Sequence, residues 1–271
     1  MSKLARIRAV RLAVCAAALL AAGCEAVSGA CPAPVPMRFE VQSEIRRDVL
    51  GFTQGLEAHG GKLFESTGAI AGDTRLTTID AGGHVTVLAN FGRTFFGEGL
   101  TILDDQIFQL SWQEHAVFVY SLDGTPLRRM DNPRDGWGLT NDGTNLIFTD
   151  GGDRLYFADP ETFAVLNEVP VRLGESPLSA LNELENVSGK IYANIFTAWT
   201  VVRVDPATGC VEASADLSHL WDRMDPAERA RTGSEANFVL NGIAYDAARD
   251  LFYVTGKNWR LIFTGRFLDG D

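Results

Sequence analysis

The stretch Phe96-Gly97-Glu98-Gly99-Leu100-Thr101 contains the pattern from which the fold of this chain can be predicted. A polar or aromatic residue is followed, usually, by Gly and then by Leu or Ile. The same pattern opens four other segments, which begin at Gln54, Trp137, Asn182 and Asn241. Each opening leads into a tight turn and then into an apolar run that is typical of a strand. The sequence therefore repeats one structural unit five times.

The repeat has the period of a β-propeller. Its apolar anchors, Leu56, Leu100, Leu139, Leu184 and Ile243, are mostly spaced by roughly 40–45 residues, as in propeller blades. The last interval is longer because residues 218–236 form a polar, charged and helix-prone insertion. A β-sandwich, the alternative all-β architecture, does not account for five matched openings. The sequence predicts an all-β, five-bladed propeller with four-stranded blades, which forms a catalytic domain over residues 38–271.

The last blade lacks one strand. After Ile243 the chain has room for three strands, at 241–245, 250–255 and 260–267. The segment from Met37 to Ser43 can supply the fourth strand from the other end of the chain. Such pairing would close the ring and remove a free sheet edge.

The first 23 residues have the pattern of an export signal. Basic residues up to Arg11 precede the apolar run from Leu12 to Ala22, which is too short to span a bilayer. The residues that end in Cys24 resemble a lipoprotein box, and cleavage after Ala30 is the alternative. Residues 24–37 form a Pro-rich tether. We expect an exported, periplasmic protein, either attached to the membrane through a lipidated Cys24 or free of it.

Composition and cysteine content narrow the class of protein. With 46% hydrophobic and 22% charged residues, the chain can bury a sizeable core and is not disordered. The net charge of −11 argues against nucleic acid and anionic membranes as main partners.

Outside the signal and Cys24, two cysteines remain, Cys31 and Cys210. Export would permit a disulfide between them, and two unpaired cysteines are the alternative.

The openings of the repeat mark a candidate site. The innermost strand of each blade lines the channel of a propeller, so equivalent positions form a ring. This ring holds one acid, three amides and an indole, and such unlike residues favour a binding site over a structural repeat. Trp112 and Lys257 follow the next strands of two units. For any single one of these residues, a turn cap or core packing is the competing interpretation.

The motifs that the sequence lacks argue against several kinds of chemistry. The four histidines lie outside the ring positions, and the sequence has no GxSxG elbow, phosphate loop, calcium loop or spaced Cys/His set. An acid, a lysine, amides and tryptophans suit proton transfer and oxyanion stabilisation on a small polar substrate. We therefore expect neither a metal nor a cofactor.

The motifs resemble those of the plant and bacterial glutaminyl cyclases. The resemblance covers about residues 38–271, and its motifs are Phe52–Leu56, Glu65–Gly68, Phe96–Thr101, Gly136–Gly143, Leu181–Glu185, Tyr192–Asn194, Leu240–Asp246 and Thr255–Lys257. It implies a five-bladed propeller and closure of the N-terminal Gln of peptides or proteins into pyroglutamate, with release of ammonia. It also implies that no catalytic metal is needed.

The resemblance also implies roles for single residues. Glu98 matches the acid that moves the proton, and Asn182 and Lys257 match residues that stabilise the amide oxyanion. The substrate-binding residues it implies are Gln54, Trp112, Trp137, Phe196 and Asn241. Phe196 departs from the family, which often has Trp there, so a hydrogen bond from an indole is lost. The alternatives are a ligand-binding propeller of the cell envelope without activity and a metal-dependent, lactonase-like hydrolase.

Overall fold

The computed structural model describes residues 30–70, 72–230 and 238–270, so the predicted signal at 1–23 and Cys24 lie outside the described residues. Most of the described chain forms short strands, because β-branched and aromatic residues alternate with polar ones between turns. The strands are β1 (Val35–Arg46), β2 (Thr53–His59), β3 (Lys62–Thr67), β4 (Thr74–Ile79), β5 (Val85–Gly92), β6 (Gly97–Leu103), β7 (Gln106–Ser111), β8 (Ala116–Ser121), β9 (Pro126–Asp131), β10 (Leu139–Asn141), β11 (Leu146–Phe148), β12 (Arg154–Ala158), β13 (Val165–Pro170), β14 (Arg172–Leu173), β15 (Ser176–Pro177), β16 (Leu181–Val187), β17 (Lys190–Ile195), β18 (Thr200–Val204), β19 (Val211–Asp216), β20 (Leu240–Asp246), β21 (Leu251–Gly256) and β22 (Leu261–Asp269).

A 3₁₀ helix (Ser218–Arg223) and the short helix α1 (Pro226–Ala230) lie between β19 and β20. They fall within the insertion predicted at 218–236, and residues 231–236 of that insertion lie outside the described residues. The helical character of the described part of the insertion is therefore confirmed.

The long strands are arranged in antiparallel units of four. Strands β2–β5, β6–β9 and β10–β13 each form one sheet in chain order, and the others form a sheet in the order β16-β17-β18-β19-β1-β22-β21-β20. The two halves of that larger sheet are joined by parallel pairing of Val35 with Ala213 and of Pro36 with Ser214. We name the units by their first strands, as the β2, β6, β10, β16 and β20 units; the β20 unit contains β1.

The first strands of the units contact one another in a closed ring, in the order β2, β6, β10, β16, β20 and back to β2. The Gly of the repeat allows this close approach. A Cβ added at Gly99 would lie 2.6 Å from the carbonyl oxygen of Trp137, in the segment that leads into β10. The Gly99 N–H donates to that same oxygen at 2.7 Å, so backbone meets backbone around the ring.

Apolar side chains fill the spaces between neighbouring units. Between the β2 and β20 units, Leu56 packs in one buried cluster with Ala244 and Ile262. Corresponding clusters lie between the other neighbouring pairs of units. Because burial of such a side chain contributes about 1.5–3 kcal/mol, the ring is held mainly by these clusters.

Strand β1 supplies the missing strand of the β20 unit, as predicted. It pairs with β22 in antiparallel register, from Met37 opposite Asp269 to Arg46 opposite Leu261. The strand begins at Val35, within the residues assigned to the tether. Pro36 does not prevent pairing because its carbonyl oxygen still accepts a hydrogen bond from the Gly270 N–H at 2.7 Å.

A disulfide joins Cys31 to Cys210, with the two Cα atoms 5.4 Å apart. It attaches the segment in front of β1 to the turn between β18 and β19. The Cys31 N–H also donates to the carbonyl oxygen of Gly174 at 3.2 Å. Of the two alternatives for these cysteines, the structure contains the bonded one.

Candidate active site

The residues at four of the five repeat openings lie where the pairing register shifts. These positions are Gln54, Glu98, Asn182 and Asn241, at the starts of β2, β6, β16 and β20. Such β-bulges break the alternation of side chains along a strand and can re-aim a side chain. The fifth opening residue, Trp137, precedes β10.

A cavity of about 250 Å³ brings most of the predicted residues together. Its lining consists of Phe52, Gln54, Ile70, Phe96, Glu98, Trp112, Trp137, Asn182, Phe196 and Lys257. The volume is below the roughly 300–1,000 Å³ of sites for drug-sized ligands, so it suits a group about as large as one side chain. Asn241 is not in this lining; it is fully buried and lies behind Asn182.

The amides and the acid form one chain of hydrogen bonds. Asn182 Nδ2 donates to Asn241 Oδ1 at 2.8 Å, and Asn241 Nδ2 donates to Gln54 Oε1 at 3.3 Å. Gln54 Nε2 then donates to Glu98 Oε1 at 2.8 Å. All donors in the chain point the same way, which fixes the orientation of each amide and ends the chain on the carboxylate.

Glu98 is buried, with 6% of its surface exposed. Burial raises the pKa of Glu98 well above its usual range; the nearby Lys257 lowers it, and the negative charges of Glu114 and Asp135 raise it further. A carboxyl group with a raised pKa can accept and return a proton near neutral pH. Glu98 therefore has the electrostatic setting of a general base and acid.

Lys257 lies between two aromatic rings of the cavity. Its ammonium nitrogen is 5.1 Å from the ring centre of Phe52 and 4.8 Å from that of Phe196, and both distances permit cation–π attraction. Burial lowers the pKa of Lys257, and the negative charge of Glu98 opposes that shift. The backbone N–H of Lys257 donates to the carbonyl oxygen of Val239 at 2.9 Å, which anchors the end of β21.

Aromatic rings form two walls of the cavity. On one side, the indole of Trp137 meets the ring of Phe196 edge-on, with centres 5.3 Å apart. On the other side, Phe96 lies 5.7 Å from Trp112 and 6.1 Å from Phe52. Trp112 is 38% exposed, more than its apolar surface favours, so its ring is open to contact by a ligand.

Three lining residues were not among the predicted site residues. Phe52 and Phe96 each stand two positions before an opening residue, Gln54 and Glu98, so comparing the repeats would have found them. Ile70 lies in the loop after β3, and no pattern in the sequence points to it.

Neither a metal-binding cluster nor a membrane-spanning helix occurs in the part of the chain that the structure describes. Within residues 30–70, 72–230 and 238–270, no group of three or more His, Cys, Asp or Glu side chains could hold a metal ion. In the same ranges, no helix has the length and apolar character needed to cross a membrane.

Known proteins share both the sequence and the fold. The family model for glutamine cyclotransferase matches residues 11–267. The glutaminyl-peptide cyclotransferase of Arabidopsis thaliana is 35% identical over 230 residues, which cover 83% of this chain and 69% of that protein. The crystal structure of Myxococcus xanthus glutaminyl cyclase has 33% identity and a TM-score of 0.77, and the match covers 88% of this chain and 100% of that one.

An all-β ring with an acid, a lysine and amides in one cavity is thus the scaffold of a cyclising acyl transferase. The chain belongs to the glutamine cyclotransferase family. Its activity is that of a glutaminyl-peptide cyclotransferase, as its relatives in sequence and structure indicate.

Proposed function

We propose that the cavity binds the N-terminal Gln of a peptide or protein and closes it into pyroglutamate. The α-amine attacks the side-chain amide carbon, a C–N bond forms, and the bond to the amide nitrogen breaks. Ammonia leaves and a lactam remains. The observation that carries the proposal is the chain of hydrogen bonds from Asn182 to Glu98 along the wall of a cavity sized for one polar side chain.

Glu98 moves the proton in this proposal. As the amine attacks, one carboxylate oxygen takes the amine proton, and the same group delivers it to the departing nitrogen, so no net proton is lost. Gln54 keeps Glu98 in place, because its amide donates to Oε1 and leaves Oε2 for the substrate. General acid–base catalysis by such a group contributes about 10²–10⁴-fold to the rate.

Asn182 and Lys257 stabilise the negative charge that develops on the amide oxygen. Asn182 uses one N–H for Asn241 at 2.8 Å, and the second N–H serves the substrate oxygen. The ammonium of Lys257 adds a full positive charge in a site with little water, where such charges act strongly. Asn241, which lies behind Asn182, contributes by fixing the orientation of its amide.

Trp112, Trp137 and Phe196 bind the apolar parts of the substrate. Phe196 cannot donate a hydrogen bond as an indole would, but its ring supports the ammonium of Lys257 at 4.8 Å. We expect Phe196→Trp to remain active and to change the preference for the residues after Gln, because the larger ring narrows the cavity.

We further propose that the scaffold is a five-bladed β-propeller. The ring of strands β2, β6, β10, β16 and β20 and the apolar clusters between successive units support this count.

We also propose that the chain is exported to the periplasm. The disulfide between Cys31 and Cys210 fits an oxidising compartment. Attachment through a lipidated Cys24 is tested by fractionation, in which Cys24→Ser should move the protein from the membrane to the soluble fraction.

Ammonia release from a Gln-initiated peptide tests the reaction, and the same peptide with an acetylated amine should give none. In Glu98→Gln we expect kcat to fall by about 10²–10⁴-fold, because an amide cannot shuttle a proton. KM should change little, since the substituted amide can still accept a hydrogen bond from the α-amine of the substrate. Glu98→Gln enzyme that is folded, by its melting curve, and turns over at the parent rate would contradict the mechanism while leaving the family assignment intact.

A further inference from the structure

Glu183 breaks the repeat at a position where the ring is most crowded. The residue after the opening residue is Gly in four units, at Gly55, Gly99, Gly138 and Gly242. In the β16 unit that position is Glu183, which directly follows Asn182. Its side chain is fully buried, with 0% of its surface exposed.

The carboxylate of Glu183 joins strands from three units. Oε1 accepts the N–H of Leu56 in β2 at 3.1 Å, and Oε2 accepts the N–H of Ile243 in β20 at 2.7 Å. Strands β16 and β2 are not neighbours in the ring, because β20 lies between them. The side chain therefore reaches across the centre of the ring.

The two N–H groups that Glu183 binds lie close to the ends of two bulges of the site. Leu56 follows the register shift that contains Gln54, and Ile243 follows the one that contains Asn241. Glu183 is itself held in place, because its N–H donates to Asn194 Oδ1 at 2.9 Å. Asn194 Nδ2 in turn donates to the carbonyl oxygen of Leu240 at 2.8 Å.

We propose that Glu183 is a positioning residue for the reaction: its carboxylate locks the bulges that aim Gln54 and Asn241, and so keeps the chain of amides directed at Glu98. The inference rests on the proposed function of that chain. A carboxylate suits the task because both of its oxygens accept hydrogen bonds and neither donates. Burial raises the pKa of Glu183 well above its usual range, and the two hydrogen bonds from the Leu56 and Ile243 N–H groups oppose that shift because they favour the ionised form.

Glu183→Gln tests the proposal with almost no change in volume. The new NH₂ group must face one of the two backbone N–H groups, so one hydrogen bond is lost and that bulge is released. We expect kcat for a Gln-peptide to fall by about 10–100-fold, as when a catalytic group is misplaced by about 1 Å. KM should change less than about threefold, because the aromatic walls that contact the substrate are unchanged. If the role of Glu183 is purely structural, Glu183→Gln should lower the melting temperature and leave kcat of the folded fraction at the parent value.

Glu185→Gln is the matched control. Glu185 lies two residues further along β16 and is also buried, but it accepts a backbone hydrogen bond from Tyr245 of β20 only, and its Oε2 has no hydrogen-bond partner among the described residues. Its replacement should leave kcat within about twofold of the parent. Parent kcat in folded Glu183→Gln, or an equal loss in both variants, would overturn the inference.

Amide hydrogen exchange on the parent protein gives a test that does not depend on a folded variant. The N–H groups of Leu56 and Ile243 should exchange as slowly as those of the strand ladder, and fast exchange of either would refute the proposal. The two hypotheses fail separately: no ammonia from the parent contradicts the proposed function, whereas an active parent with an equally active Glu183→Gln contradicts only the inference.

Discussion

Glu98 and Lys257 set each other's protonation inside one small cavity. The positive charge of Lys257 lowers the pKa of Glu98, against the larger opposing effect of burial. The negative charge of Glu98 likewise raises the pKa of Lys257, which burial lowers. In the proposed mechanism Glu98 must be ionised to accept the amine proton, so the acid side of the pH profile should report on Glu98.

Lys257→Met should therefore move the acid limb of kcat/KM to higher pH. Without the ammonium, the pKa of Glu98 rises further, and the base becomes available only at higher pH. If Lys257 faces the oxyanion as proposed, loss of its charge should also lower kcat by about 10²–10³-fold. A pH series of ammonia release from one Gln-peptide measures both effects.

Lys257→Arg serves as the control for charge. It keeps the positive charge, so the acid limb should stay near that of the parent, while the larger, planar group places its donors differently and lowers kcat. An acid limb that does not move in Lys257→Met would show that the two groups do not interact as their burial indicates.

At the scale of single elements, strand β1 matters most for the ring. It completes the β20 unit by pairing with β22 and buries Met37 and Phe39 in the cluster between the β16 and β20 units. Its last residue is followed by Arg47, whose buried guanidinium pairs with Glu65 of β3 at 2.6 Å. The strand thus links the last unit of the ring to the first.

Deletion of residues 1–42 should abolish the cooperative unfolding transition or lower its midpoint severely. The deletion removes Met37 and Phe39 and exposes an edge of β22 that is paired in the parent. Deletion of residues 1–30 is the control and should leave the midpoint near that of the parent, because it retains Cys31 and all of β1. Equal midpoints for both truncated forms, by circular dichroism, would show that β1 does not close the ring.

At the scale of the whole molecule, the disulfide closes a very long loop. Cys31 and Cys210 are separated by 179 residues in sequence. In the chain-entropy account, a crosslink of this kind stabilises by restricting the unfolded chain, by typically about 2–4 kcal/mol. The double variant Cys31→Ser/Cys210→Ser should lose about that much free energy of unfolding in urea titrations, with ammonia release unchanged at low denaturant. A variant as stable as the parent would show that the crosslink is dispensable.

The ring also carries two acids outside the candidate cavity, the half-buried Glu57 and the buried Glu185. Burial raises the pKa of Glu57 to about 7 from its ordinary value of 4.5. Burial and the negative charges of Glu57 and Glu183 likewise raise the pKa of Glu185. Because the folded protein holds these protons to higher pH than the unfolded chain does, it binds more protons above pH 4.5, and its stability falls as pH rises.

Glu57→Gln should flatten the pH dependence of the melting temperature between about pH 4.5 and 7, which is the window set by the two pKa values of Glu57. The amide cannot ionise and can still accept the hydrogen bond that Thr101 donates at 2.8 Å. Surface acids whose pKa is lowered, such as Asp48, have the opposite effect on stability. They stabilise the folded protein, and this contribution is lost as the pH falls below 3.8. An unchanged slope in Glu57→Gln would assign the dependence to other groups.

The sequence alone determined the repeat, the class of fold and most of the cavity lining. Matched openings at Gln54, Glu98, Trp137, Asn182 and Asn241 predicted an all-β chain and, apart from Asn241, a shared cavity. The missing strand after Ile243 predicted the pairing of β1 with β22. These inferences succeeded because each rests on local alternation, turn residues and spacing, which the chain carries before it folds.

Only the tertiary structure decided how the ring residues divide their tasks. Asn241 lies behind Asn182 rather than in the cavity, and Glu183 spans the ring to reach Leu56, 127 residues away in sequence. These contacts exist only once all the units have assembled, because the centre of a ring belongs to no single unit, and no local pattern records which groups meet there.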